Sequence, residues 1–496
     1  MVPGYASPTP NMLAAIVIPV VAAPIAYLFG KRMGRVGNGI FSLLALAIAT
    51  ASLWWDVGSV IRYGQVREVY SWVSLFNIEF GLLADWLSFP IAIIILSMCT
   101  LSAVYSIAYM EHEPNQENYF AFLLLFSAGM VGVILSTNLI QFYLFWELML
   151  IPSYFLIAHW GTGRPKVVGF KYFLFTHAGA ACLIFGIVWL FVVTGTFNLY
   201  ELPLLLIQVN PSILRAIMIL MFIGFAVKMA IFPFHSWLPD AHAEAPTPIS
   251  VLLSGVMIKC GVYATARIAL TFLPSATHAV AYGLMVLAVV TMFWGGVMAL
   301  AQTDIKRLLA YSSISQMGYI LFGLASYTMV GVAGGLFHII NHAVAKGLLF
   351  MCAGAIIHQT GIRDLKQLGG LAGKMPVTAV ACLIGALSIA GTPPLGGFAS
   401  EWMIFFGGFQ SGYTVLAALA IIATIITAGY YLWMIKRVFF GEKPKGLEQV
   451  HEAPLTMLAP MVILMFFAVI FGIFPTAALQ MFGPAAQQIT QTIGGP

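Results

Sequence analysis

Charge is what this sequence has least of. Only 22 Lys or Arg and 17 Asp or Glu stand among 496 residues, 8% of the chain, where a soluble domain carries roughly 25%. With 61% hydrophobic residues and a mean hydropathy of +0.96, the polar surface needed to coat a water-soluble body of this size is missing. That excludes a soluble enzyme, a nucleic-acid binder and a disordered regulator. Cysteine is scarce as well. Cys99, Cys182, Cys260, Cys352 and Cys382 all lie in apolar runs, and none forms a C-x-x-C pair. They read as small core residues, with no zinc or iron–sulfur site suggested. Neither G-x-x-x-x-G-K-[ST] nor a G-x-G-x-x-G between strand and helix occurs, so there is nowhere to hydrolyse ATP or hold a dinucleotide. Met1 to Asn11 has no basic residue, whereas a signal peptide carries a positive start. Asn11–Gly30 therefore reads as a retained first span.

What is abundant is apolar sequence in stretches that fit membrane-spanning helices and exceed the roughly 10-residue strands of an outer-membrane barrel. The runs fall at 11–30, 39–55, 83–108, 119–137, 138–159, 167–195, 212–233, 247–271, 278–301, 308–326, 329–356, 376–405, 412–436 and 455–482, fourteen in all. Between the second and third, Asp56–Leu82 alternates β-branched and aromatic with polar residues, as in Val66 to Tyr70, and predicts a short extramembrane hairpin. Assigned to alternate sides, the basic residues divide unequally. Lys31, Arg32, Arg35, Arg164, Lys166, Lys171, Lys306, Arg307, Arg363, Lys366, Lys374, Lys436, Arg437, Lys443 and Lys445 fall on one face. Only Arg62, Arg67, Arg215 and Arg267 fall on the other. The richer face is cytoplasmic by the positive-inside rule, which puts both termini on the non-cytoplasmic side of the cell membrane.

Five ionisable residues remain inside the spans: Glu147, Lys228, Lys259, Lys346 and Glu401. Each costs roughly 2.5–3.5 kcal/mol at a helix centre if unpaired, so they must face one another, water or a polar interior. Glu147 has no charged neighbour in sequence, and a lysine from another helix is its expected partner. Lys228 precedes Pro233, and Glu401 follows Gly391-Thr392-Pro393-Pro394. Interrupted spans next to charges mark ion pathways in transporters. The two breaks lie five spans apart, which predicts two inverted five-helix repeats, residues 119–272 and 273–440. An N-terminal part, 1–118, and a last span within 441–496 flank them. His338, His342 and Lys346 share one helical face at intervals of four, and histidine titrates near neutral pH. They are expected to carry protons rather than a metal, since no third ligand is evident.

These residues resemble a known family. Phe145-Trp146-Glu147 with Pro152 is similar to the glutamate span of the antiporter-like subunits of respiratory complex I. Val227-Lys228 to Pro239-Asp240-Ala241-His242 and Ala245-Pro246-Thr247-Pro248 resemble that family's broken lysine helix and the loop after it. Asp304 to Tyr319, Asn341-His342, Lys346-Gly347 and Gly391-Thr392-Pro393-Pro394 match in the same order, so the likeness covers roughly residues 80 to 440. It implies an all-α fold of about fourteen membrane helices with two proton half-channels joined by a polar axis. Glu147 and Lys228 would be the paired carboxylate and pump lysine, Lys259 the connector, His338 and His342 the continuation, and Glu401 the exit group. Glu401 on the broken twelfth span resembles subunit M, the chain 4 type, while Lys346 departs from that pattern. A methanogen enzyme oxidising a reduced deazaflavin belongs to the same circle. The resemblance implies no cofactor on this chain, with flavin, iron–sulfur clusters and a quinone or similar carrier in partner subunits of a membrane arm. The alternative is a subunit of a multi-chain Na⁺/H⁺ antiporter.

Overall fold

The computed structural model describes residues 5–6, 9–73, 78–442, 444 and 446–491. Lys443 and Lys445, assigned above to the basic face, lie outside the described residues. The chain opens with strand β1 (Tyr5–Ala6) and α1 (Asn11–Trp54). Inside α1 only Gly34 leaves helical geometry, at φ 74° and ψ 172°. There the chain doubles back, because Asn11 Nδ2 at the start of α1 reaches Asp56 Oδ1 just beyond its end, at 2.8 Å. The first two apolar runs are thus the two arms of one helical hairpin.

The predicted extramembrane hairpin is present and begins later than read. After α2 (Val57–Tyr63), β2 (Gln65–Val73) pairs antiparallel with β3 (Ile78–Asp85), and β1 adds in parallel to β2. This small sheet is bolted to the helices. Both Glu68 carboxylate oxygens accept the first free N–H groups of α1, from Met12 at 2.8 Å and Leu13 at 3.0 Å, replacing the side-chain cap that Pro10 cannot supply. Arg267, counted above with the loops, is in fact buried at the end of its span and pairs with Asp85 at 2.6 Å. Burial works against the Asp85 charge, but Arg267 and the Ser88 N–H and hydroxyl together hold its carboxyl below the usual carboxylate range.

The membrane body follows as α3 (Ser88–Tyr109), α4 (Gln116–Leu135), α5 (Leu139–Trp160), α6 (Pro165–Thr194), the short α7 (Leu202–Leu205) and α8 (Pro211–Met229). Next come α9 (Leu238–Glu244), α10 (Thr247–Leu252), α11 (Ile258–Ala264), α12 (Pro274–His278), α13 (Ala281–Leu300), α14 (Ile305–Ala325) and α15 (Met329–Thr360). The last are α16 (Pro376–Ile389), α17 (Gly396–Gln410), α18 (Thr414–Phe439), α19 (Leu455–Ile473) and α20 (Pro475–Gln491). Among the described residues, 12 helical stretches are long and apolar enough to cross a membrane, with α1 and α2 counted as one stretch. The run 376–405 is not among them because it is split into α16 and α17, as the Gly-Thr-Pro-Pro segment leads one to expect. The span Thr247–Phe272 is wholly buried, and two π-helical turns, Leu253–Met257 and Thr265–Phe272, interrupt it. The 32-residue α15 is buried from Gly331 to Ile356 and exposed only towards its two ends. These two helices form the centre around which the others pack.

Candidate functional site

Both breaks foreseen from proline and glycine are real. Helix α8 stops at Met229 with Ala230 in the left-handed region at φ 57°, and the chain restarts at α9. A belt of polar contacts fixes this connection. Asp240 takes Lys171 at 2.7 Å and Arg307 at 3.0 Å. Arg363 bonds Ala243 O at 2.6 Å and pairs with Asp304 at 2.9 Å. Lys306, also counted above with the loops, is buried and donates to Ala245 O. Basic residues near the helix ends thus cross-brace α6, α9, α14 and the segment after α15.

Lys228, in the last turn of α8, is 1% exposed. Its Nζ has no hydrogen-bond partner among the described residues and stands over the Trp146 ring, 5.2 Å from the centroid. Glu147, the residue after Trp146 on α5, does not ion-pair with it. The Glu147 Oε2 atom lies instead 3.5 Å from Nδ1 of His177 on α6, while Oε1 is buried without a partner. The lysine expected as the partner of Glu147 is therefore nearby but unengaged, and His177 has taken its place.

Lys259 lies between the two π-helical turns. Its Nζ bonds Ser254 O, five residues back, and approaches His342 Nδ1 on α15 at 2.6 Å. In such an amine–imidazole contact one nitrogen donates and the other accepts, and either can take either part. Four residues earlier on α15, His338 Nε2 meets Gln316 Oε1 at 2.6 Å and Nδ1 meets Ser400 Oγ at 2.9 Å. Neutral His338 donates from Nε2 and accepts the Ser400 hydroxyl proton at Nδ1. Charged His338 donates from both nitrogens, and Ser400 then turns its proton to Gly397 O, 3.0 Å away. The same neighbours satisfy both protonation states. The His338 and His342 ring centres are 6.3 Å apart, so transfer between them needs a water or a ring rotation.

Glu401, 3% exposed on α17, leaves Oε1 unpaired and lines a cavity of about 270 Å³ walled by Phe398, Trp402, Phe405 and Phe406. Gln316 neighbours both Glu401 and His338. Lys346 shares the histidine face of α15, yet its amine turns away from the histidines towards α14 and α18. The structure thus gathers Lys259, His342, His338 and Glu401 about one axis, sets Lys228 and Glu147 at one end, and places Lys346 to the side. Sequence reading missed Gln316, Ser400 and His242. The last is fully buried, with neither ring nitrogen partnered and its ring stacked on Phe350 at 5.0 Å. Uncharged polar residues give no hydropathy signal, so only Gln316, fixed in the middle of an apolar helix, could have drawn notice. Among the described residues no group of three metal-ligating side chains occurs.

Residues 136–427, more than half of the chain, match the family described as NADH:quinone oxidoreductase/Mrp antiporter, TM, and residues 71–120 match the N-terminal segment of complex I chain 5. The chain belongs to this family. Its members include F(420)H(2) dehydrogenase subunit M of Methanosarcina mazei, 31% identical over 97% of this chain and 98% of that one. A Na(+)/H(+) antiporter subunit of Alkalihalophilus pseudofirmus is 36% identical over 99% of this chain, which spans 63% of that protein's length. The fold matches a chain of respiratory complex I from Thermus thermophilus at a TM-score of 0.88 and 25% identity, covering 98% of this chain and all of that one. The chain is therefore a multi-pass antiporter-like membrane subunit of the complex I type, as its motifs implied, and relatives in both redox and antiporter assemblies share its architecture.

Proposed function

We propose that this chain translocates protons in the membrane arm of a complex I-type oxidoreductase, where electrons move in partner subunits. Flavin, iron–sulfur clusters and a quinone or similar carrier belong to those partners, and this chain supplies buried acids and bases. The single observation that carries the reading is the axis of protonatable groups across the protein interior, from Lys259 through His342 and His338 to the neighbourhood of Glu401. A scaffold gains nothing from such groups, because buried charges are costly to a fold that apolar residues could fill.

In this mechanism Lys228 loads a proton while Glu147 is close and passes it towards Lys259 when Glu147 withdraws. The proton of the Lys259–His342 contact then moves along α15, and Glu401 governs release beside its cavity. The electrical state of partner subunits reaches the chain through this charged axis, the field of one group shifting the proton affinity of the next. The basic face is cytoplasmic and the membrane is the cell membrane, by the positive-inside count. The near-full-length match to F(420)H(2) dehydrogenase subunit M supports the redox assignment.

A second reading, a subunit of a multi-chain Na⁺/H⁺ antiporter, is favoured by the 36% identity to the Alkalihalophilus protein. Purification from native membranes in mild detergent, with mass spectrometry of the co-purifying chains, separates the two. Iron–sulfur and quinone-site subunits are the expected companions. A set of small cation/proton subunits with no redox protein would overturn the first reading in favour of the second.

A further inference from the structure

Lys346 is fully buried and has no acidic partner within ion-pair distance among the described residues. Its Nζ donates to Leu309 O at 2.9 Å, to Tyr431 OH at 2.7 Å and to Ser312 Oγ. These acceptors also brace one another, with Ser312 Oγ 2.9 Å from both Tyr431 OH and Leu309 O. An ammonium has three N–H groups, and three oxygens receive them. The three oxygens thus replace water around the amine. The amine touches neither histidine of its own helix face, so it does not connect to the hydrogen bonds along which a proton would pass.

A carbonyl, a hydroxyl and a phenol converging on one buried point are the hard, neutral oxygen ligands that bind alkali cations elsewhere. We propose that Lys346 is a tethered cation filling a monovalent-cation cage made by Leu309 O, Ser312 Oγ and Tyr431 OH, and is not a link in the proton relay. A fixed positive charge on α15 then repels any second charge arriving on neighbouring Lys259. The cage, being already filled, admits no Na⁺ in the native chain. The inference rests on the translocation reading and deepens it, since it sets Lys346 beside the path as a fixed charge and not as a carrier.

The test uses the purified complex with Lys346→Ala, Lys346→Met and Lys346→Arg, reconstituted into vesicles in choline, Na⁺ or NH₄⁺ salts. Donor-driven proton uptake in choline should fall about tenfold or more in Lys346→Ala. Na⁺, which carries no proton, should restore much of it, and so should NH₄⁺. Lys346→Met, whose side chain fills the vacated space, should not respond. Lys346→Arg keeps a charge that cannot leave and should retain uptake within a few-fold. Equilibrium binding of ²²Na⁺ in detergent should show one site in Lys346→Ala that the native complex lacks. Absence of that site, or an assembled Lys346→Arg complex as inactive as Lys346→Ala, overturns the cage. The ²²Na⁺ measurement does not depend on pumping, so failure of the native complex to move protons would count against the proposed function alone.

Discussion

The Glu147 carboxylate meets His177 at 3.5 Å and leaves Lys228 with no hydrogen bond among the described residues. A carboxylate with one oxygen engaged and one unpaired, standing near an unpaired amine, has two alternative partners on two helices. Glu147→Gln removes the charge that either partner answers. Donor-driven proton uptake in the assembled complex is expected to drop about tenfold or more. His177→Phe keeps a ring to stack on Phe173 but releases Glu147 towards Lys228. It should leave assembly intact and alter uptake less than Glu147→Gln does. Full uptake in Glu147→Gln would contradict the assigned role.

The Lys259–His342 contact makes a sharper prediction. Lys259→Met deletes the only hydrogen-bond partner that His342 Nδ1 has among the described residues and leaves the histidine isolated in the core. Uptake should be lost, by about tenfold or more, while the complex still forms, because the methionine stem fills nearly the same space. Vesicle acidification measured beside the subunit content of the purified complex distinguishes lost transport from lost assembly.

Gly391 has a predicted effect out of proportion to its size. It sits at φ +66°, and a Cβ there would collide with Glu401 Oε2. Gly391→Ala therefore adds backbone strain of about 1–2 kcal/mol and displaces the Glu401 carboxylate. Uptake should fall with little change in the amount of assembled complex. An unchanged rate would show that the Glu401 position is not critical.

The Asp85–Arg267 pair governs stability away from the transport axis. Asp85→Asn leaves a buried guanidinium without its anion, at a cost of about 3–5 kcal/mol. The pH dependence has a definite sign. The folded carboxyl titrates below its ordinary range, so its contribution is complete above the unfolded value near about 3.9. It is lost only as pH falls through the lower folded value. Thermal unfolding in detergent should therefore show the same deficit for Asp85→Asn at pH 7 and pH 5, shrinking only in strong acid.

Much of this was legible in the sequence because hydrophobic length and proline placement are one-dimensional signals. Gly34 folds α1 back where the gap between two apolar runs predicts it, and Pro233 and Pro393-Pro394 lie in the two breaks. His338 and His342 share a face of α15 as their spacing suggests, and Lys259 reaches His342 from another helix. What was not legible depends on side-chain direction across helices. Lys346 is in register with the histidines, yet its amine reaches Ser312 and Tyr431 on other helices. Arg267 and Lys306 sit at run ends and read as loop residues, but buried acceptors draw both inward. The preference of Glu147 for His177 over Lys228 is settled by distances of a few ångströms that no spacing rule contains.

The cap that Glu68 places on α1 sets an order of events during synthesis. The start of the first helix is finished by a residue made 56 positions after Met12. The ribosome has therefore completed both arms of the helical hairpin before that seat exists, and the β-strands must first arrive on the side of the bilayer where Asn11 waits. The start of α1 is thus locked only after its own second arm has been made, and a chain stalled before Glu68 would leave that helix end unfinished.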